Sequence, residues 1–345
     1  MLYFTSDYTT GAHPDVMARL VATNLEHTVG YGADPYCAEA RQLIREACQA
    51  PDALVQFLVG GTQTNATVID ALLRRHEGVM AADTAHINVH ESGAIEHSGH
   101  KVLVLPSHEG KVCADEVEQY VSNFYRDETF EHMVAPGLLY ITQATEYGTV
   151  YSLAELEALS AVCRRHQIPL YLDGARLGYA LASDGADFTL ADIARLCDVF
   201  YIGGTKEGAL FGEAVVAADP ARLPHFFPLV KQHGALLAKG RLLGVQFGAL
   251  FTDGLYARIS RHAVLLAQEL RKVLVEHGYR VALDSPTNQQ FFILPNAVMD
   301  RLLPDVSFEL WGPRGETETT VRFVTSWANT KEDIEALRSL LDNIR

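Results

Sequence analysis

A lysine stands just beyond a predicted buried strand and a pair of glycines, in residues 198–208, which read DVFYIGGTKEG. Ligands of parallel sheets bind beyond the carboxyl ends of the strands, so this place suits a ligand-binding residue. A lysine held away from water gives up its proton more readily, and the free amine of Lys206 can then form a Schiff base with an aldehyde. The glycines allow a flat ring to approach the backbone. Taken alone, the segment is equally typical of a surface lysine in a loop.

A carboxylate ends a second predicted strand, in residues 170–176, which read LYLDGAR. In this position Asp173 can keep the pyridine nitrogen of pyridoxal 5′-phosphate (PLP) protonated, which makes the ring an electron sink. Arg176 follows one short turn later, where we expect it to reach the phenolic oxygen of the ring or a substrate carboxylate. The alternative is an aspartate that caps its own turn and pairs with Arg176. The presence of Lys206 after another strand favours the cofactor.

A glycine turn at residues 60–63, which read GGTQ, joins a predicted strand to a predicted helix. Such a turn directs backbone N–H groups and the positive end of the helix toward an anion. The phosphate of PLP needs such a site, so we expect Gly61 and Thr62 to bind it. Many strand–helix turns have this composition, so the turn alone is weak evidence for a phosphate site. The occurrence of Asp173 and Lys206 after later strands strengthens this prediction.

Residues 85–100 contain four histidines. Two of them, His86 and His90, are four residues apart and could bind a metal from one face of a helix. The segment lacks an HExxH pattern and a third ligand at a matching distance, so we expect no metal site. In the alternative interpretation, His86 stacks on the cofactor ring and the other histidines lie at the surface.

Strands and helices alternate around these residues, which predicts βαβ units and a mostly parallel sheet covered on both faces. The predicted strands are residues 54–59, 137–142, 169–173 and 198–203. Near residue 250 the pattern changes to a long helix, short strands and a last helix that begins at Thr330. We therefore predict an α/β fold with a large PLP-binding domain over residues 1–250, N-terminal segment included, and a smaller α+β domain over residues 251–345.

The composition narrows the classes of partner. The chain has 345 residues, 48% of them hydrophobic, and a formal net charge of −15. An acidic surface repels phosphate backbones and anionic lipid, so we expect neither nucleic acid nor membrane as a partner. The five cysteines are scattered without a CxxC spacing, and the first residues contain no basic or apolar leader. Both features are typical of a protein of the reducing cytoplasm.

In their order along the chain, these motifs resemble those of the threonine aldolase family of fold-type I PLP enzymes. The matching positions cover nearly the whole chain and are Ser6 with Asp7, residues 31–35, residues 61–65, Ala85 with His86, residues 173–176, Lys206, and residues 321–325. The resemblance implies that PLP is bound to Lys206 and that Arg322, with Ser6, binds the substrate carboxylate. It also implies a homodimer or homotetramer with active sites at subunit interfaces, where Lys231 and Lys239 would reach the cofactor phosphate of a neighbour.

Three segments differ from the usual family pattern. The sequence QATE, which ends at Glu146, stands where the family typically has ENTH. Thr205 precedes the lysine in place of the usual serine and is expected to contact the cofactor, and residues 234–239 replace GGGMR. In the first two differences the chain is similar to the phenylserine aldolase branch.

The family resemblance implies cleavage of a β-hydroxy-α-amino acid of the threonine, allo-threonine or phenylserine type to glycine and an aldehyde. His86 and Glu146 are both candidates for the base that accepts the hydroxyl proton.

Other functions stay open at this point. A β-eliminating lyase or an aminotransferase would use the same cofactor on a small amino acid. A PLP-binding regulator without catalytic activity would normally carry an attached nucleic-acid-binding domain, which the predicted elements do not include. A metal hydrolase built on His86 and His90 is a third class.

Overall fold

The computed structural model describes residues 1–344, in which strands and helices alternate through the first 250 residues. The strands are β1 (Leu2–Tyr3), β2 (Leu54–Leu58), β3 (Glu77–Ala82), β4 (Val102–Leu105), β5 (Ala135–Thr142), β6 (Leu170–Asp173), β7 (Val199–Gly203), β8 (Glu213–Ala217), β9 (Arg280–Leu283), β10 (Gln289–Pro295), β11 (Val306–Ser307), β12 (Glu309–Leu310) and β13 (Glu318–Val324). The helices are α1 (Pro14–Thr23), α2 (Pro35–Ala47), α3 (Gly61–Leu72), α4 (His86–Val89), α5 (Ala94–His97), α6 (Ala114–Arg126), α7 (Leu153–His166), α8 (Leu177–Leu181), α9 (Leu190–Leu196), α10 (Phe226–Gln232), α11 (Arg241–Phe251), α12 (Leu255–Glu276), α13 (Asn296–Leu302) and α14 (Lys331–Asp342).

Seven strands form the central sheet in the order β2-β8-β7-β6-β5-β3-β4. The five strands from β7 to β4 are parallel, whereas β8 is antiparallel to both of its neighbours. The predicted α/β fold with a mostly parallel sheet is confirmed. The alternation of strands and helices did not predict β8, because β8 follows β7 through a tight turn rather than through a crossover helix.

The helices begin where the sequence supplies their caps. Ser152 and Glu155 form the predicted capping box of α7, with each side chain bound to the backbone N–H of the other. Thr330 caps α14 in the same way together with Asp333. Such caps satisfy N–H groups that have no partner within the helix. Among the described residues, no helix has both the length and the apolar character required to cross a membrane.

A second sheet, with the antiparallel order β12-β13-β10-β9, forms the core of a smaller body. The long helix α12 takes part in both hydrophobic cores, with Leu255 in the larger one and Leu270 in the smaller one. The predicted domain boundaries place the N-terminal segment in the large domain. In the structure, β1 instead pairs in parallel with β11, and Phe4 lies in the smaller core. The first residues of the chain therefore connect the smaller body to the edge of the large sheet.

Candidate active site

Three neighbouring parallel strands end at the same edge of the large sheet. Asp173 is the last residue of β6 and pairs with the last residue of β5, and β7 ends next to them. Lys206 lies three residues beyond β7, in the turn that leads to β8, and is half-buried. Its backbone oxygen accepts a 2.5 Å hydrogen bond from the Tyr179 hydroxyl. Within residues 1–344 its side-chain amine makes no hydrogen bond or ion pair, so the amine is available to a ligand.

Asp173 accepts four hydrogen bonds. Oδ2 accepts hydrogen bonds from the hydroxyl of Tyr140 at 2.6 Å and from the side-chain amide of Asn65 at 3.0 Å. Oδ1 accepts hydrogen bonds from the hydroxyl of Tyr201 at 2.5 Å and from the backbone N–H of Ala175 at 3.0 Å. Burial, followed by the charge of Asp173, raises the pKa of both tyrosines well above the ordinary value, so both hydroxyls remain donors. These four donors stabilise the ionised carboxylate, the form that keeps a pyridine nitrogen protonated.

The tyrosines around Asp173 were not part of the site predicted from sequence. Tyr140, Tyr171 and Tyr201 lie near the carboxyl ends of β5, β6 and β7, and each is fully buried. Burying a phenol requires a hydrogen-bond partner for its hydroxyl. Tyr140 and Tyr201 donate to Asp173, whereas Tyr171 donates to Oδ1 of Asn65 at 2.9 Å. A tyrosine in each of three successive apolar strands was the signal in the sequence that pointed to buried acceptors at this edge of the sheet.

The predicted phosphate turn begins α3. Gly60 caps this helix without a side-chain hydrogen bond, so the first N–H groups of the helix are open to an anion. A Cβ atom at Gly61 would lie 3.2 Å from the hydroxyl of Tyr201, so a larger residue would crowd the group that binds Asp173. Thr62 is exposed, and the buried hydroxyl of Thr64 has no hydrogen-bond partner among the described residues. The turn thus offers backbone and hydroxyl donors to a phosphate.

His86 is the first residue of α4, and its side chain is 32% exposed. Its Nδ1 lies 2.8 Å from Oε1 of Glu91, a carboxylate with no exposed side-chain surface. Burial alone would lower the pKa of His86, but the hydrogen bond with Glu91 and the charges of Glu146, Asp173 and Glu91 raise it above the ordinary value. The ring is therefore held at one edge while part of its surface stays accessible to a ligand.

The metal-site interpretation of the histidine run has little geometric support. The ring centres of His86 and His90 are 5.6 Å apart. In the part of the chain that the structure describes, only one group brings three metal-binding side chains within reach of one another, and it consists of His108, Cys113 and Glu116. Neither His86 nor His90 belongs to it.

Arg176 is paired inside the protein. Its Nε donates to Oδ2 of Asp7 at 2.7 Å and its Nη2 donates to Oδ1 at 3.0 Å. Burial raises the pKa of the Asp7 carboxyl, but the charges of Arg176 and Lys206 outweigh burial and bring it below the ordinary value. Two of the three guanidinium nitrogens are occupied by Asp7, so Nη1 is the one that can reach a ring oxygen or a substrate.

Ser6 and Arg322 each bury a polar atom that lacks a hydrogen-bond partner in residues 1–344, namely Oγ and Nε. The guanidinium of Arg322 also donates to Gln289 at 2.8 Å and to Glu309, and its central carbon lies 4.8 Å from the centre of the Trp311 ring. Burial, and then the charge of Arg176, lowers the pKa of Arg322. The two arginines are therefore near each other, and each is also paired with a carboxylate, Arg176 with Asp7 and Arg322 with Glu309.

Glu146 is half-buried beyond the end of β5. Its charge contributes to raising the pKa of both His86 and Arg176, which places the carboxylate close to both side chains. No other described residue donates a hydrogen bond to it. Both candidate bases of the sequence analysis are therefore present at this edge of the sheet.

Thr205 has a different environment from the one that the family resemblance implied. Its hydroxyl donates to Oε1 of Glu213 at 2.8 Å and accepts the backbone N–H of Gly212 at 3.0 Å. Burial raises the pKa of Glu213 to about 8. The hydroxyl is used to close the turn that carries Lys206, and a role for Thr205 in binding the cofactor stays a prediction.

The comparison with known proteins agrees with this geometry. A family model described as beta-eliminating lyase matches residues 4–296. The low specificity L-threonine aldolase of Pseudomonas aeruginosa is 30% identical over 348 residues, which cover 99% of this chain and 96% of that protein. A solved threonine aldolase structure from Leishmania major has a TM-score of 0.96 and 42% identity, and covers 100% of this chain and 99% of its own. The chain belongs to the threonine aldolase family.

This chain also has more distant structural neighbours. Aspartate aminotransferase of Thermus thermophilus has a TM-score of 0.70 at 15% identity, and the match covers 100% of this chain and 92% of that one. A likeness at this identity concerns the fold alone. It confirms the fold-type I architecture.

Threonine aldolases use PLP, and the side chains at the edge of the sheet fit this cofactor. The amine of Lys206 has no partner among the described residues, the buried carboxylate of Asp173 accepts four hydrogen bonds, and the start of α3 offers donors for a phosphate. The unpartnered hydroxyl of Thr64 and the half-exposed ring of His86 are further features that a bound cofactor would satisfy. The cofactor prediction is confirmed at the level of the family.

Proposed function

We propose that this threonine aldolase family member is a PLP-dependent carbon–carbon lyase that cleaves β-hydroxy-α-amino acids to glycine and an aldehyde. The observation that carries the proposal is a set of polar groups between the large sheet and the smaller body. The buried Oγ of Ser6 and Nε of Arg322 lack a hydrogen-bond partner in residues 1–344, and the charge of Lys206 acts on Asp7, the residue next to Ser6. They supply a position for the cofactor and donors for an amino acid carboxylate in a single site.

Each residue has a separate task in the proposed reaction. Lys206 would hold the cofactor through its amine, the start of α3 would hold its phosphate, and Asp173 would keep its pyridine nitrogen protonated. Arg322 and Ser6 would bind the substrate carboxylate and so orient Cα. When bound, PLP accepts the electron pair that is released as the Cα–Cβ bond breaks.

A base must remove the β-hydroxyl proton before the aldehyde can leave. His86 and Glu146 are both candidates for this task, and the effect of the Glu146 charge on the His86 ring indicates that the two side chains lie near each other. His86 has in addition a buried carboxylate behind it, Glu91, that stabilises its protonated form. Replacement of His86 by glutamine should reduce the turnover of all substrates. Replacement of Glu146 should change the turnover of phenylserine and of threonine by different amounts if Glu146 shapes the pocket for the substrate side chain.

A β-eliminating lyase acting on a small amino acid is the second candidate, because that reaction gives the matching family its description. Amino transfer is the third. Analysis of the products separates them, since an aldolase yields glycine and an aldehyde, a lyase yields a keto acid and ammonia, and an aminotransferase exchanges the amino group with a keto acid. The purified protein should be assayed with L-threonine, L-allo-threonine and phenylserine.

We expect glycine and an aldehyde from these substrates. Glu146 in place of the usual histidine is similar to the phenylserine branch, so phenylserine should be cleaved at least as efficiently as threonine. Strong cleavage of threonine without cleavage of phenylserine would contradict the substrate proposal and leave the reaction class intact. Formation of 2-oxobutanoate from threonine, or of phenylpyruvate from phenylserine, together with ammonia and without glycine would contradict the aldolase proposal.

We further propose that the enzyme is a homodimer or homotetramer of the cytoplasm. Large apolar side chains are exposed in the first part of the chain, among them Val21, Leu25, Val29 and Tyr31. Exposed apolar surface of this kind is typical of subunit contacts. Lys239 is exposed on the segment next to this surface, and Lys231 lies 4.6 Å from the centre of the Tyr31 ring. Light scattering of the purified protein would measure its oligomeric state. A fully active monomer would contradict the proposal.

A further inference from the structure

A continuous set of hydrogen bonds runs behind the site from His86 to Asp173. Nδ1 of His86 lies 2.8 Å from Oε1 of Glu91, the side-chain amide of Asn65 donates to the same oxygen at 2.8 Å, and it also donates to Oδ2 of Asp173 at 3.0 Å. Asn65, Glu91 and Asp173 are buried. The candidate base and Asp173, the carboxylate expected to bind the pyridine nitrogen, are therefore joined by one hydrogen-bond network.

We propose that Glu91 is a positioning residue of the aldol cleavage. It fixes the proton of the neutral His86 ring on Nδ1, directs the lone pair of Nε2 to the substrate hydroxyl, and stabilises the ring after Nε2 has accepted a proton. The inference rests on the proposed function, and it goes beyond it by naming the group that makes His86, rather than Glu146, the base.

The orientation of Asn65 determines the protonation pattern. Its Oδ1 accepts the hydroxyl of Tyr171 at 2.9 Å, and burial raises the pKa of that hydroxyl well above the ordinary value, so Tyr171 remains the donor. The NH₂ group of Asn65 therefore faces the two carboxylates and gives one hydrogen to each. All the hydrogen-bonding capacity of its NH₂ group is used, so the amide has a single orientation in which Oε1 of Glu91 is an acceptor.

The tautomer of His86 follows from that arrangement. An ionised carboxylate only accepts hydrogen bonds, so the 2.8 Å contact requires the proton of His86 to be on Nδ1. Nε2 then carries the lone pair, and no described residue bonds to it. A buried carboxylate that holds a histidine in this way is the recurring arrangement for a histidine that acts as a base. Oε2 of Glu91 has no partner in residues 1–344, so the contact to His86 and Asn65 depends on Oε1 alone.

Four ionisable groups surround the ring of His86. Glu91 lies five residues after His86 in the chain, and the ring of His90 is centred 5.6 Å away. The other two groups are Glu146, beyond the end of β5, and Asp173, at the end of β6. Asp173 is already saturated by four donors, and Glu146 has no direct bond to the ring. Glu91 is therefore the carboxylate whose removal should change the titration of His86 most.

The test uses the PLP-loaded enzyme and the substitution Glu91→Gln, with Glu96→Gln as the matched control, because Glu96 is an exposed glutamate five residues further along. Two quantities are measured: the pH profile of kcat/KM, and the pKa and tautomer of His86 from ¹⁵N spectra of enzyme labelled in its histidine rings. The His86 signal is assigned with His86→Gln.

In Glu91→Gln we expect the acid limb of kcat/KM and the pKa of His86 to move together to lower pH by about one unit, because the negative charge that stabilises the protonated ring is lost. Turnover should fall by ~10-fold or more, as for a weakened general base. The absorbance of the cofactor and all properties of Glu96→Gln should match those of the original protein.

An unchanged His86 titration in Glu91→Gln would overturn the inference while the aldolase function stood. The unsubstituted enzyme provides a second test that does not depend on the variant folding. A signal that shows Nδ1 of neutral His86 without its proton would also overturn the inference. If no β-hydroxy amino acid is cleaved, the proposed function fails, and the ¹⁵N spectra still decide whether Glu91 controls the ring.

Discussion

Arg176 and Asp7 form a buried bidentate ion pair between two separate parts of the fold, with Nε–Oδ2 and Nη2–Oδ1 distances of 2.7 and 3.0 Å. Arg176 follows β6 of the large sheet, whereas Asp7 belongs to the N-terminal segment that pairs with the smaller body through β1. Asn288, just before β10 of the smaller sheet, donates to the same carboxylate at 2.9 Å. The pair therefore holds the two bodies together at the place where Ser6 and Arg322 would bind substrate.

Removing the charge of Asp7 tests this connection. In Asp7→Asn the guanidinium of Arg176 stays buried without a counter-ion, which should reduce the free energy of unfolding by about 3 kcal/mol. Urea denaturation measures the loss. Asp300→Asn is the control, because Asp300 binds Arg314 by a similar bidentate contact at the surface. We expect no measurable change in the control, and equal losses in both variants would show that the burial of the Asp7 pair has no consequence.

Lys206 should be the only lysine that carries the cofactor. The purified protein should be yellow, and reduction with borohydride should attach the cofactor to the peptide that contains Lys206. Lys206→Ala should lose both the colour and the label, whereas Lys101→Ala, at an exposed position, should keep both. A label on another lysine would contradict the assignment.

Much of the fold followed from local sequence patterns, and the exceptions have physical causes. The capping box of α7 and the strands β5, β6 and β7 were predictable because they depend on neighbouring residues. The antiparallel β8 and the pairing of β1 with β11 depend on contacts between distant segments, which periodicity does not contain.

The same distinction holds for the site. The chemistry of Lys206 and Asp173 was visible in their positions after apolar strands. The supporting groups were not, because Asn65 reaches Asp173 from 108 positions away, and the spacing of Glu91, five residues after His86, does not by itself show that the two side chains meet. Even Arg176, itself a predicted site residue, has a partner 169 positions away that only the folded chain reveals.

The charge of Asp173 should be required for turnover. Asp173→Asn should still bind PLP but should lose at least ~100-fold in turnover, since the pyridine nitrogen is no longer kept protonated. Tyr201→Phe removes one of the four donors and leaves the charge, so its loss should be smaller, less than ~10-fold. Steady-state kinetics with saturating cofactor measure both, and near-normal turnover in Asp173→Asn would show a purely structural residue.

Glu207 should make stability depend on pH. Burial raises its pKa to about 8 in the folded protein, from an ordinary value of 4.5. The folded state therefore binds one more proton at Glu207 than the unfolded state between these values, so the contribution of this group to stability is fully present below pH 4.5 and is lost as pH rises toward 8. One such group gives a slope of about −1.4 kcal/mol per pH unit. Urea denaturation from pH 5 to 8 should show a shallower slope in Glu207→Gln, and an identical slope would contradict the raised pKa.

The geometry of Arg322 should matter more than its charge. A guanidinium can bind a carboxylate through two parallel hydrogen bonds, whereas the ammonium of a lysine is a point charge that cannot reproduce this contact. Arg322 also lies against Trp311 and donates to Gln289, so its fork is held in one orientation. Arg322→Lys should therefore raise KM for the amino acid and reduce kcat/KM by ~10-fold or more while the absorbance of bound PLP stays unchanged. Arg314→Lys, at an exposed position near the same sheet, is the matched control and should retain normal kinetics. Normal kinetics in Arg322→Lys would place the carboxylate of the substrate elsewhere, with Nη1 of Arg176 as the next donor to test.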